Sequence, residues 1–397
     1  MSLFNKMLAS NKYFYNKLNQ RTSESSGTLL FDIFFDESPI IYGIAKTALA
    51  ISKSKDLLPL GIVPQKLSTD NEKIVNSMCF ETTGKRFFLF YVFIRNFIKI
   101  AKLFIKIKDR KSLLVLNVDS INIGKHIYDG ILRSNAIPTI NIISLKMKLR
   151  ILTELVYFFT FSYLIDKRNI KFIVCSDNVY RCGLLFELAK SKSIPCVSPI
   201  NLNGFSMTYN SSIEDYNKHC RSAEREVIKI INQEKADLAL KSYFIDRYSA
   251  NIEQHDVLAA YSSDKSILTR SHLNDQYKLD PTLPIIVVMA HIFADAPHAY
   301  PNTLYDDYYE WFIQTIDILN ENPCINLLVK EHPSAMLYNE EGLVFEILAR
   351  RGIEGKLIEN NIHTLTVLKE MDVVVTCGGT IGQEFSYMKK PVVLAAT

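Results

Sequence analysis

What the chain lacks is informative first. None of its seven cysteines (Cys79, Cys175, Cys182, Cys196, Cys220, Cys324 and Cys377) stands in a C-x-x-C spacing, and several lie in apolar runs such as FIVCSD and SIPCVSPI. This excludes the common zinc and dithiol patterns and suits reduced, buried thiols in a cytosolic compartment. Excess charge of either sign is small too. A net charge of +4 over 397 residues is too weak to argue for nucleic acid. The opening stretch MSLFNKMLASNKYFYNKLNQR has no apolar signal-peptide core. No segment reads plainly as a membrane span. ILTELVYFFTFSYLI (Ile151 to Ile165) is short and contains Glu154. RFFLFYVFIRNFIKIAKLFIKIKDRK (Arg86 to Lys111) repeats Arg95, Lys99, Lys102 and Lys106 at helical spacing, the pattern of an amphipathic helix. Both are expected to be core helices, with contact to an anionic membrane surface as the alternative for the second.

The chain is 48% hydrophobic and 22% charged, ample for sizeable cores and long enough for two or three domains. Unbroken apolar runs alternate with helical patterns. Strands are expected at TLLFDIFFD, LLPLGIV, SLLVLNVD, TINII, KFIVCSD and PCVSPI in the first half. PIIVVMA, INLLVKE, KLIE, DVVVTC and PVVLAA are expected as strands in the second. Ser38 and Pro39 announce a helix over 38–54, with Ser38 as its cap. Such alternation predicts α/β architecture with parallel sheets covered on both faces. The expected division is a Rossmann-like domain over 1–210, a helical connector over 211–281 and a second Rossmann-like domain over 282–397. The sequence ends directly after a strand, so a truncated second domain, or one module of a longer polypeptide, is expected.

In open parallel sheets ligands bind beyond the carboxyl ends of the strands. Three strand ends in the second half carry chemistry-bearing residues. AHIFADAPH holds His291, Asp295 and His298; KEHPS holds Lys330, Glu331, His332, Pro333 and Ser334; TCGGTIGQE holds Gly378, Gly379, Thr380, Gly382 and Glu384. The glycines let backbone approach a ligand, and the helix N-terminus beyond them suits a phosphate. Neither a Walker loop nor G-x-G-x-x-G is present. Thr380 reads as a helix cap or a hydroxyl donor, and Glu384 as a ribose acceptor or a solvated helix face. His332 reads as a phosphate donor or a structural histidine, Lys330 as its partner or a solvated lysine. Asp295 reads as a nucleophile, a base or a turn former. The first half offers Asp36, Glu37, Asp119, Asn122, Lys125, Asp177, Tyr180, Arg181, Asn201 and Asn203; helix capping is the favoured reading for Asp36 and Asp177. No D-x-D occurs, which is compatible with a metal-independent leaving group.

The run KEHPS, followed by a strand and TCGGTIGQEFSYMKKPVV, resembles the donor domain of bacterial capsule and O-antigen glycosyltransferases of GT-B fold. With AHIFADAPH one strand earlier, it looks most like the KpsC-type retaining β-Kdo transferases. The resemblance covers about Pro284 to Thr397. It implies two Rossmann-like domains facing across a cleft and a CMP-Kdo donor. It implies a glycan or glycolipid acceptor in polysaccharide or lipopolysaccharide assembly, and no metal cofactor. It places His332, Pro333, Gly378, Gly379 and Thr380 at the CMP phosphate, Glu384 at the ribose and Asp295 as covalent nucleophile. Asp119, Asp177 and His291 are candidates for the base of the second step. Lys330 or another cation would meet the sugar carboxylate. No nucleic-acid partner is expected. The expected location is cytoplasmic, with possible contact to the inner face of the inner membrane or to further glycosyltransferase modules. An inverting CMP-sialic acid or CDP-polyol-phosphate transferase, and a non-catalytic nucleotide-sugar-binding module, are the alternatives.

Overall fold

The computed structural model describes residues 3–19, 25–64, 67–78, 80–84, 86–200, 206–210, 232–252, 255–299 and 303–396. Asn201, Asn203, Cys79, Cys220 and the stretch 211–231 of the expected connector lie outside them. The chain divides into two compact units, one of Met1–Ile131 with Asn141–His219, the other of Leu132–Ile140 with Cys220–Thr397.

Strands β1 (Gly27–Asp32), β2 (Leu57–Ile62), β3 (Glu81–Thr83), β6 (Ile170–Val174), β7 (Cys196–Ile200) and β8 (Ser206–Asn210) build the sheet of the first unit, and β4 (Asn117–Val118) and β5 (Ile121–Asn122) a separate hairpin. Their order is β3-β2-β1-β6-β7-β8, with every pairing parallel except β7 with β8. Leu29, Leu30 and Phe31 are wholly buried, as a central strand covered on both faces requires. The helix over 38–54 forms as expected, but its cap position is Glu37; the Ser38 hydroxyl donates to Asn71 Oδ1 at 2.7 Å instead.

Two expected strands do not form. SLLVLNVD is a short helix, Arg110–Leu114, followed by the β4–β5 hairpin. Asp109 caps that helix by accepting from the Ser112 amide at 2.8 Å, and a local capping box outcompetes an extended run of only four apolar residues. TINII is irregular. It lies where the chain returns to the first unit at Asn141.

In the second unit, strands β9 (Ile285–Met289), β10 (Asn326–Lys330), β11 (Leu357–Ile358), β12 (Val373–Thr376) and β13 (Val392–Leu394) form one wholly parallel sheet, ordered β11-β10-β9-β12-β13. One face packs Val287, Leu328, Val374 and Phe385 against Val257, Tyr261 and Leu273. The other packs Val288, Val329 and Phe293 against Trp311, Phe312 and Ile347. Each such buried side chain contributes about 1.5–3 kcal/mol of transfer free energy. Both units are Rossmann-like, the pair of domains expected of the GT-B fold.

Candidate functional site

The strand order of the second unit reverses between β9 and β12, and such a reversal opens a crevice beyond the carboxyl ends. AHIFADAPH leaves β9 there and CGGT leaves β12, while KEHPS leaves β10 on the other side of β9. The three clusters therefore share one edge of one sheet.

Beyond β12 the helix Thr380–Tyr387 begins without any side-chain cap. Its cap position is Gly379 at φ 94°, a left-handed conformation that glycine adopts without strain. Thr380 is thus the first helical residue, not the cap, and both residues are exposed. Gly382 N–H donates to the Gly379 carbonyl at 3.3 Å, and the Thr380 and Ile381 amides before it, without a side-chain cap, are the ones that can face an anion. Gly382 serves packing: a Cβ there would lie 3.3 Å from Leu394 and 3.5 Å from Val392.

Two histidines flank this edge, with ring centroids 6.1 Å apart. Their tautomers follow from their partners. His332 Nδ1 accepts from the Ser334 amide at 3.1 Å across Pro333. The proton therefore sits on Nε2, and burial holds the ring's pKa down to about 3. His332 is a neutral donor. His291 Nδ1 lies 3.3 Å from the Ile292 carbonyl oxygen, which can only accept. Its proton is on Nδ1, and Nε2 keeps a lone pair. Burial lowers the pKa of this ring as well, and it stacks on Tyr308 at 4.0 Å. His291 is a neutral acceptor.

Asp295 is half-buried in the same loop. Tyr338 donates to its carboxylate, and burial and that charge push the phenol up to about 12. Arg133 stands 3.8 Å over the Tyr338 ring, a cation–π contact that brings positive charge to the Tyr338–Asp295 pair. The next residue, Ala296, is left-handed at φ 43°, a strain of roughly 1–2 kcal/mol that fixes the turn. Glu340 holds the loop from behind. Its carboxylate is buried and accepts from the Phe293 and Ala294 amides at 2.8 and 2.7 Å. Burial first, and Asp295 among the lesser causes, raise Glu340 to about 7.

Arg133, Tyr338 and Glu340 were not anticipated. The two acids of NEEG before a helix were the only local signal, and Arg133 joins this unit through the excursion Leu132–Ile140.

Other expected residues are placed differently. Lys330 is buried and donates to the carbonyls of Ile362 at 3.2 Å and Glu359 at 3.5 Å; burial pulls its ammonium down to about 7. It supports the loop before the helix Thr364–Glu370 rather than facing a ligand. Glu331 accepts from the Gly342 amide at 3.0 Å at the start of the helix Leu343–Ala349. Glu384 turns inward. One oxygen accepts from Arg247 Nε and the other from the Tyr261 hydroxyl, and all three residues are buried. Arg247 also donates to Thr380 Oγ1 at 3.1 Å. Glu384 is an interior ion-pair member in this structure, where the resemblance implied a ribose contact.

Asp119 and Asp177 belong to the first unit. Asp119 is exposed at the tip of the β4–β5 hairpin, left-handed at φ 48°. Asp177 accepts from the neighbouring Asn178 amide at 2.7 Å, and the cap position of the helix Tyr180–Ser191 is Val179. Asp36 accepts from Ser68 and Asn71 of the following segment instead of capping its own helix. The switch point of this sheet, between β1 and β6, holds an unanticipated carboxylate. Asp32 is wholly buried, accepts from the Ser176 amide at 2.8 Å and is raised to about 6 by burial. Among the described residues no group of three or more His, Cys, Asp or Glu is arranged to hold a metal ion, and no helix is long and apolar enough to cross a membrane.

No family model matches the chain, and no curated protein does. Among solved structures it is similar to a UDP-GlcNAc 2-epimerase from Neisseria meningitidis bound to UDP-GlcNAc, at 11% identity over 92% of this chain and 82% of that one, TM-score 0.23. A second UDP-N-acetylglucosamine 2-epimerase is 10% identical over 94% and 79%, TM-score 0.24. A glycosyltransferase from Rickettsia africae is 12% identical over 94% and 81%, TM-score 0.24. Likeness at this level says nothing about donor or mechanism.

Proposed function

We propose that the chain is a retaining glycosyltransferase of GT-B fold that transfers Kdo from CMP-Kdo to a cell-surface glycan or glycolipid acceptor. The observation that carries the reading is the meeting, at one switch point, of a strained and braced Asp295 loop with an uncapped glycine-led helix N-terminus. The amides of the Thr380 helix and the neutral His332 Nε2–H would hold the CMP phosphate without a protein cation at that atom. Asp295 would attack the anomeric carbon; the bond from that carbon to the phosphate oxygen breaks and CMP leaves with the electron pair. An acceptor hydroxyl then displaces the Asp295 carboxylate from the same carbon, restoring the starting configuration. Its proton would pass to His291 Nε2, the one ring nitrogen of the pair with a free lone pair. Arg133 is the cation best placed for the sugar carboxylate, since Lys330 is committed to backbone carbonyls.

The anomeric configuration of the product tests this reading. Transfer from CMP-Kdo with retention, read by NMR on a model glycan acceptor, is the expected result. Inversion would make Asp295 a base. Failure to bind or turn over CMP-Kdo would remove the Kdo assignment.

A further inference from the structure

We propose that the helix pair Arg86–Arg95 and Phe97–Lys106 of the first unit is a membrane-surface anchor whose partner is a bilayer carrying anionic headgroups. The two helices are ten residues each. At about 1.5 Å per residue neither can cross a bilayer.

Their apolar stripes point the wrong way for a core. In the first helix Leu89 and Val92 are buried, while Phe87, Phe90, Tyr91 and Ile94 repeat at i, i+3, i+4 and i+7 on the opposite side and are exposed, Phe87 by 90%. In the second only Ile100 is buried, and Ile98 and Ile105, on the far side, are 69% and 73% exposed. A surface helix of a water-facing domain carries polar residues there. Contiguous exposed apolar area of this kind marks an interaction surface.

Charge selects the partner. Eight Lys or Arg and a single acid, Asp109, stand between Arg86 and Lys111. Lys99, Lys102 and Lys106 line the edge of the Ile98–Ile105 stripe, all exposed. Long lysines can leave their stems on the apolar face and lift their ammonium groups to headgroup phosphates. Beside Phe88 a surface groove of about 490 Å³, lined also by Tyr163, Lys167 and Arg168, adds Lys167, while Arg168 is paired with Glu81 at 2.9 Å. A second copy of this chain would bring the same positive charge to the contact and be repelled. An anionic bilayer satisfies both stripe and charge, and aromatic residues such as Phe87, Phe90 and Tyr91 favour the headgroup boundary.

Flotation of the full chain with lipid vesicles tests this. Phosphatidylcholine vesicles doped with phosphatidylglycerol should carry the protein, pure phosphatidylcholine should not, and added salt should release it. Changing Lys99, Lys102 and Lys106 together to Gln should weaken partitioning by roughly a hundredfold, at about fivefold per cation. Changing Phe87, Ile94 and Ile98 to Ser should weaken it as well, while leaving the unfolding curve in place because these side chains are already in water. Absence of flotation with anionic vesicles, or undiminished flotation of the Gln variant, would overturn the proposal. So would a wild-type dimer that the Ser variant dissociates.

Discussion

Replacing Arg247 with Met would strip the cation from a buried carboxylate. Glu384 would keep only the Tyr261 hydroxyl, deep in the second unit. Burial already raises the Glu384 carboxyl despite Arg247, so the charge is costly even when paired. Breaking a buried pair typically costs about 3–5 kcal/mol, and the remaining tyrosine bond places this case near 3 kcal/mol. For a unit of this size that is a fall in melting temperature of roughly 6–12 °C. Trp311 is the only tryptophan and is buried in this unit, so its fluorescence follows the relevant transition alone. The compensated triple change Arg247→Met, Glu384→Leu and Tyr261→Phe removes the three buried partners, leaving only the exposed Thr380 and the partly exposed Asp256 to water, and should return stability to within about 1 kcal/mol of wild type. A single-variant loss below about 1 kcal/mol, or a triple variant as unstable as the single, would refute the reasoning. Glu384→Gln should likewise lower stability yet leave the CMP affinity of the folded protein unchanged. Lost affinity at full stability would restore a ribose contact.

His332→Ala should weaken CMP binding by about 10- to 100-fold, the loss of one hydrogen bond to a charged phosphate; calorimetry measures it. Since burial holds the His332 ring near pKa 3, His332 should add no step to the wild-type affinity between pH 8 and 5 beyond that of the CMP phosphate, whose second pKa is about 6; a step near 6.5 that His332→Ala abolishes would contradict the neutral ring. Glu340→Gln leaves one of two backbone amides facing an NH₂ group, a cost of about 1–3 kcal/mol. Turnover should fall at least tenfold with CMP affinity kept, because the loop bearing Asp295 loosens while the helix N-terminus does not. Asp32 has a folded pKa of about 6 against 3.8. The folded state therefore binds more protons over that interval, and the first unit gains about 3 kcal/mol as pH falls through it. Hydrogen exchange of β1 amides should show the gain in wild type, and Asp32→Asn should lack it.

The alternation of apolar runs with amphipathic helices made both parallel sheets legible, because buried parallel strands need unbroken apolar stretches. It failed at SLLVLNVD and TINII. SLLV fits a strand or a helix equally, and only the Asp109–Ser112 box decides. The isoleucines of TINII are not all buried, Ile142 being 82% exposed. Backbone-borne features of the site were local in sequence and readable: the two glycines, the proline after His332, the loop beyond β9. Partnerships were not. Arg247 lies 137 residues from Glu384, and nothing within helical spacing of Glu384 announces an interior guanidinium. Glu340 looked like a helix-flanking acid, since its amide partners lie 46 and 47 residues upstream.

The central claim is that Asp295 carries the sugar. Intact-protein mass spectrometry after brief incubation with freshly generated CMP-Kdo, wild type beside Asp295→Ala, tests it most directly. The account predicts a mass increase of one Kdo residue on the wild type, absent from Asp295→Ala, which still binds CMP. An adduct that persists in Asp295→Ala, or an Asp295→Ala variant that transfers Kdo at the wild-type rate, would contradict it.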